Sequence, residues 1–283
     1  MEIGKDILPL VQRELGGLYE IEREIGRGGA ARVFLARNTA GESVALKVLH
    51  PQLAVSVTAD RFLREVALLK KLDHPFIARF LDFGQSDWLI YFVMTYVDGP
   101  SLKYYLGRKG TVPLDDALIA TCNLLDALNH AHDLGIVHRD VKPDNIGLSR
   151  NGAILLDFGV AKAIESSGTE QLTRSGFTIG TSHYMSPEQA LGAPKIDHRS
   201  DIYALGCVFF ECLAGRPPFV DRSEFVVLRM HQEAEIPDVR KFRSDVPESV
   251  ALAISRAMQK KPEDRWQTAN EMKTALIPHV SSQ

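Results

Sequence analysis

The sequence predicts an α+β chain in which a small β-rich part precedes a larger, mainly helical one. Three observations carry this. Short β-type runs, separated by turns containing Gly and Asn, fill residues 19–49. Helical periodicity dominates beyond Gly99. Between the two patterns, Val97-Asp98-Gly99-Pro100 reads as a turn and a boundary, giving lobes of 1–97 and 98–283 within one domain.

The elements follow in order. Tyr19, Ile21 and Ile25 alternate with Glu20, Glu22 and Glu24, as in a half-buried strand. Val33-Phe34-Leu35 and Val44-Ala45-Leu46 supply two more strands. Phe62, Val66 and Leu69 give helical spacing over 59–72, and further strands lie near Ile77–Phe83 and Leu89–Met94. The first third is therefore a unit of five strands and one main helix. In the second part, Leu114–Asp133 is amphipathic and Ile202–Ala214 is apolar nearly all round, which predicts a helix buried in the interior. Val250–Gln259 and Ala269–Leu276 complete the helical part. A cleft between two such lobes is a common place for a ligand.

Bulk composition excludes several classes. Of 283 residues, 45% are apolar, enough for a sizeable core, and the net charge of −3 supplies no field that would draw in nucleic acid or an anionic membrane. No run approaches the length of a bilayer span; Ile202–Ala214 is too short and carries Glu211. The first residues lack a basic stretch before an apolar run, so no secretion signal is expected. Cys122, Cys207 and Cys212 are too few and badly spaced for a zinc site and read as buried core residues of a reducing compartment.

The chemistry lies in a few separate segments. Gly26-Arg27-Gly28-Gly29-Ala30-Ala31-Arg32-Val33 follows the first strand, and glycines let main-chain N–H groups approach phosphates. Alone this is a weak signal, since Gly-rich hairpins are common. Lys47 lies in an apolar strand with Ala45 on the same face, and Glu65 lies on the apolar side of the next helix with Phe62 and Leu69. Pairing of Lys47 with Glu65 accounts for both, although each could instead reach solvent. His138-Arg139-Asp140-Val141-Lys142-Pro143-Asp144-Asn145 is a polar loop that no core could accept. A strand-like run then leads to Asp157-Phe158-Gly159. Asp140 offers a proton acceptor; Asn145 and Asp157 offer two hard oxygen ligands of the kind Mg²⁺ takes.

Taken together, these segments resemble the protein kinase family, and the wording Gly180-Thr181-Ser182-His183-Tyr184-Met185-Ser186-Pro187-Glu188 resembles the bacterial, Hanks-type serine/threonine kinases. The resemblance runs from about Tyr19 to Ala275. It implies the bilobal kinase fold, with an antiparallel five-stranded N-lobe and a mainly helical C-lobe. It also implies transfer of the γ-phosphate of ATP to Ser or Thr hydroxyls of proteins. By that resemblance Gly26, Gly28 and Gly29, with Ile25 and Arg27, would cover the phosphates, and Val33 and Ala45 would roof the adenine. Lys47, held by Glu65, would contact the phosphates. Met94 would be the gatekeeper, the main chain of Thr95 and Val97 would grip adenine, and position 147 would floor it. Asp140 would orient the acceptor hydroxyl and take its proton, Lys142 would neutralise the moving phosphate, and Thr181 would brace both. Asn145 and Asp157 would hold Mg²⁺, with Mn²⁺ a substitute. Arg265 would partner Glu188.

Three departures stand out. Ala31 takes the place of a third glycine, Ser182 that of a common Pro, and Gly147 that of an apolar residue, which predicts weakened ATP affinity. The segment 157–188 holds Thr169, Thr173, Ser175 and Thr178; a phosphate on Thr173 or Ser175 would pair with Arg139 and order it. An ordinary solvated loop is the alternative. Relatives pair through their N-lobes, so self-association is an expectation, with no stripe that names the surface. The expected location is cytoplasmic, either alone or as the cytoplasmic part of a longer, membrane-anchored protein. A scaffolding pseudokinase and a small-molecule phosphotransferase are the competing readings. The intact polar set argues against the first and the 180–188 segment against the second.

Overall fold

The computed structural model describes residues 7–28, 31–49, 69–85, 89–158 and 181–280. Gly29, Glu65, Thr169, Thr173, Ser175 and Thr178 lie outside the described residues, as does the expected helix over 59–72 as far as 68. The chain forms two compact units, and the second takes up Leu72–Ile77 in addition to everything described beyond Val97.

The first unit is a five-stranded antiparallel sheet of order β1-β2-β3-β5-β4, made by Tyr19–Arg27, Ala31–Asn38, Ser43–Leu49, Phe80–Gln85 and Ile90–Thr95. Its register sorts the side chains, because directly paired residues share a face. Lys47 pairs with Val33 and Phe92, and Ala45 with Leu35 and Met94, so these residues lie on one face. Phe34, Ala36, Val44, Leu46, Val48, Tyr91 and Val93 lie on the other. A helix that the sequence reading did not anticipate, α1 (Leu8–Leu15), covers that second face. Its Val11 and Leu15, one turn apart, are buried against the sheet, with Pro9 in the first turn where a missing N–H costs nothing.

The second unit holds seven of the eight helices among the described residues: α2 (Leu102–Lys109), α3 (Leu114–Asp133), α4 (Pro187–Ala190), α5 (Arg199–Ala214), α6 (Glu224–Glu233), α7 (Glu248–Ala257) and α8 (Ala269–Leu276). A hairpin of β6 (Ile146–Ser149) and β7 (Gly152–Leu155) sits beside them. α5 is buried on every side, as its composition requires, and packs so closely on α7 that a Cβ on Gly206 would lie 2.9 Å from that of Ala257. It ends on Gly215, whose left-handed φ of 74° suits only glycine well. Cys122, Cys207 and Cys212 are all buried and free; burial pushes the thiols of the latter two well up.

Several expected boundaries shift, and the helix placed at Ile202–Ala214 begins at Arg199. The strand placed from Ile77 begins at Phe80, because Ile77 instead makes a parallel bridge to Leu155 in the second unit. The helix placed at Val250–Gln259 begins two residues earlier and ends at Ala257.

Candidate active site

On the first unit, the candidate residues lie on the β1–β2 hairpin and on the face of β3 and β5 that carries Lys47. Gly26 sits opposite Val33, and the hairpin closes where the Gly28 N–H donates to the Ala31 carbonyl at 2.9 Å. Arg27 points away to pair with Glu24 at 2.7 Å. Val33, Ala45 and Lys47 are half-buried, whereas Met94 is buried. The Thr95 N–H is committed to the Arg79 carbonyl, and its hydroxyl oxygen accepts from the Arg79 N–H. Val97 closes this unit, and Ile25 is half-buried in β1. Ala31 is free of positive φ, so the missing third glycine costs no backbone strain.

The second unit carries the polar loop. Asp140 Oδ2 lies 2.8 Å from Lys142 Nζ and accepts from Asn145 Nδ2 at 2.9 Å; the same amide donates to the Asp140 carbonyl at 2.8 Å. With its nitrogen engaged by Asp140, Asn145 has its side-chain oxygen as the remaining polar atom of the amide. The Leu156 N–H donates to the Asn145 carbonyl at 2.9 Å, which sets Asp157 in the residue directly after. No group of three or more His, Cys, Asp or Glu among the described residues could hold a metal ion. One amide oxygen and one carboxylate do suit a magnesium ion that draws its other ligands from phosphates and water. Gly147 lies two residues past Asn145 in β6, opposite Ile154 and bridged to Ser101. The side chain of Thr181 lies outside those described; its backbone opens a 3-10 turn, Thr181–Tyr184.

Backbone geometry sets this loop apart. Among the described residues, Arg139 and Asp157 are the only non-glycine residues with positive φ, at 66° and 62°. Such strain persists only where surroundings over-determine it. Here Asp201 of α5 does so, for its carboxylate accepts from the main-chain N–H of His138 at 2.8 Å and of Arg139 at 2.7 Å. His132 of α3 supports the same carboxylate at 2.9 Å. The His138 ring bridges onward. One nitrogen accepts from the Asp140 N–H, the other donates to the Leu156 carbonyl, and the ring edge meets Phe158 at 4.6 Å. The sequence reading did not find Asp201 or His132 in these roles. Only a carboxylate at the start of an otherwise apolar helix hinted at the first.

The segment after Thr181 is fastened to the same core. Ser186 and Gln189 form a reciprocal cap at the start of α4, and Gln189 Nε2 reaches the Arg139 carbonyl at 2.9 Å. Glu188 receives both guanidinium nitrogens of fully buried Arg265, at 2.8 and 2.7 Å. Burial alone would push the Glu188 carboxyl up, but Arg265 holds it below the usual range. Tyr184 donates to buried Glu211; burial raises both groups, so the tyrosine keeps its proton.

Comparison with known proteins adds the deciding observation: the protein kinase domain family matches residues 19–277. The chain belongs to the protein kinase family. This kinase domain is 39% identical over 270 residues to the serine/threonine-protein kinase PrkC of Bacillus subtilis, covering 94% of the present chain and 41% of that protein. It is also 39% identical over 273 residues to the serine/threonine-protein kinase PknB of Mycolicibacterium smegmatis, covering 94% and 43%. The PknB of Mycobacterium tuberculosis is 39% identical over 271 residues, with 93% and 43% covered. The kinase domain thus spans about two fifths of the length of the curated relatives it matches.

Proposed function

We propose that this kinase domain is a serine/threonine protein kinase that moves the γ-phosphate of Mg²⁺-ATP onto Ser or Thr hydroxyls of proteins. The observation that carries the reading is the bonded set Asp140, Lys142 and Asn145 on a loop strained at Arg139 and tied to Asp201. The names of the matching relatives point the same way.

Asp140 holds the acceptor hydroxyl and takes its proton as the new P–O bond forms and the bond to the departing nucleoside diphosphate breaks. Asn145 fixes the rotamer of that carboxylate through Nδ2. Lys142, 2.8 Å from Asp140, places a positive charge beside the developing charge of the moving group. Asn145 and Asp157 would hold Mg²⁺, with Mn²⁺ as a substitute; the ion screens phosphate charge when bound. On the first unit, Lys47, braced by Glu65, would contact the phosphates, and the Gly26–Gly29 loop would cover them. Ile25 would help cover the phosphates, Val33, Ala45, Met94, Thr95, Val97 and Gly147 would enclose the adenine, and Thr181 would brace the polar loop. Little covalent work falls to the protein, which positions groups and stabilises charge.

The reading extends to regulation and partners. Autophosphorylation at Thr173 or Ser175, less centrally at Thr169 or Thr178, would supply a phosphate for Arg139. Protein substrates carrying Ser or Thr, a second copy bound through the N-lobe and a cytoplasmic setting belong to the same reading. Among the described residues no helix is long and apolar enough to cross a membrane.

Intact-mass spectrometry tests the core of it. Dephosphorylated protein incubated with Mg²⁺-ATP should gain phosphate, and the Asp140→Ala variant should not. No phosphate on either protein or on a basic protein substrate would sink the proposal. Gain by both would remove Asp140 from its role. Phosphopeptide mapping that found nothing over 169–178 in active protein would remove the regulatory part alone.

A further inference from the structure

His231 is a histidine where a core would ordinarily take an apolar residue. It is fully buried on α6, the helix that packs on the 3-10 turn Thr181–Tyr184 and on α4. The ring edge meets Phe219 with centroids 5.0 Å apart. Its Nδ1 lies 2.8 Å from Tyr203 Oη on α5. Its Nε2 is buried with no hydrogen-bond partner, although the main-chain carbonyls of Ser182 and His183 face the ring.

The proton positions follow from these neighbours. Burial drives the Tyr203 hydroxyl far above its ordinary value, so it stays an O–H and can donate. Burial, with the charges of Lys260 and His183, pushes His231 down to about 3, so the ring is neutral and carries one proton. If Nδ1 held that proton, the Nε2 lone pair would face carbonyl lone pairs. If Tyr203 donates to Nδ1, the proton sits on Nε2 and faces them favourably. A buried donor that lacks its acceptor is costly, and a small shift of 182–183 would complete the bond.

We propose that His231 is a positioning residue for the segment 181–188, the stretch where a substrate peptide would dock, its Nε2–H held by Tyr203 to capture the Ser182 or His183 carbonyl when the peptide binds. The proposal rests on the protein kinase reading. It places no part of His231 on substrate or nucleotide.

Nitrogen-15 NMR of the histidine-labelled parent protein reads the tautomer directly. A neutral ring with the proton on Nε2 is expected, and a proton on Nδ1 would overturn the idea whether or not the protein is active. Steady-state kinetics on His231→Gln, His231→Asn and His231→Phe supply the second test. Gln offers a donor near the Nε2 position and should keep the peptide KM close to the parent. Asn imitates only Nδ1, and Phe neither, so both should raise the peptide KM about tenfold with the ATP KM unchanged. Equal behaviour of Gln and Asn, or parallel rises in both KM values, would count against a positioning role. Absent turnover in the parent itself would instead refute the kinase reading and leave the tautomer result standing.

Discussion

Gly147 is the residue whose identity has the clearest chemical consequence. β6 carries it opposite Ile154, with Ile146 and Leu148 pointing to the other side of the hairpin. Under the proposed function it leaves the adenine without an apolar floor. Gly147→Leu should therefore tighten ATP binding by about 1–2 kcal/mol, a factor of roughly 5–30. The KM for ATP measures this, and an unchanged value would detach Gly147 from the nucleotide site. Much at this scale was legible in the sequence, because Asp140, Lys142 and Asn145 fall within six positions of one another and a short loop could bring them together. Asp201 was not legible as a loop anchor. It stands more than sixty residues from His138 and Arg139, and nothing local in either segment signals the pairing.

The elements reveal a different limit. Strongly patterned segments such as Leu114–Asp133 and the mostly apolar α5 were readable, since the apolar pattern specifies the buried surface. The helices α1, α2 and α6 were not. α2 buries only Leu102 and Leu106, and α6 only Val227 and a histidine, so neither shows an apolar stripe. α1 had a signal, Leu8, Val11 and Leu15 after a proline-compatible start, but it precedes the first clear strand. It also precedes the residues that match the kinase family. Its contribution is measurable. Leu15→Ala removes a buried side chain from the outer face of the sheet and should destabilise the domain by about 2–4 kcal/mol in thermal or urea unfolding. A change below 0.5 kcal/mol, within the ordinary range for surface sites, would mean that α1 does not cover the sheet in solution.

For the molecule as a whole, buried titratable groups shape the response to pH. His231 has a folded value of about 3, far below its unfolded value near 6.5. Its contribution is complete above pH 6.5. As pH falls below that, the unfolded chain takes up the proton first, and stability is lost at up to about 1.4 kcal/mol per unit until the folded value is reached. The Glu188 carboxylate joins in as pH falls into the usual carboxylate range, where the unfolded carboxyl takes up its proton first. Stability should thus begin to fall near pH 6.5, before carboxylates titrate. His231→Phe should flatten the limb between pH 6.5 and 5. Lys260 acts at the other end: burial, against Cys207 and with Arg265, lowers it to about 8. Its charged form is the disfavoured one in the folded protein, so its own contribution grows from pH 8 to 10, against the loss from the buried thiols of Cys207 and Cys212, and Lys260→Met should make the net fall over that range steeper. Urea unfolding across pH 5–10 measures both limbs. A flat profile between 6.5 and 5 in the parent would contradict a buried neutral His231.

The grip of Asp201 on the polar loop has one more consequence. Loops ordinarily exchange their amide protons quickly with solvent, because local opening exposes them without disturbing the rest. The amides of His138 and Arg139 end on a carboxylate that is 1% exposed, on a helix buried along its whole length. They cannot open unless α5 gives up its place. In deuterated water these two should exchange about as slowly as the interior of α5, while neighbouring loop amides equilibrate early. The reacting part of the chain would then share the lifetime of the most durable part of the second unit.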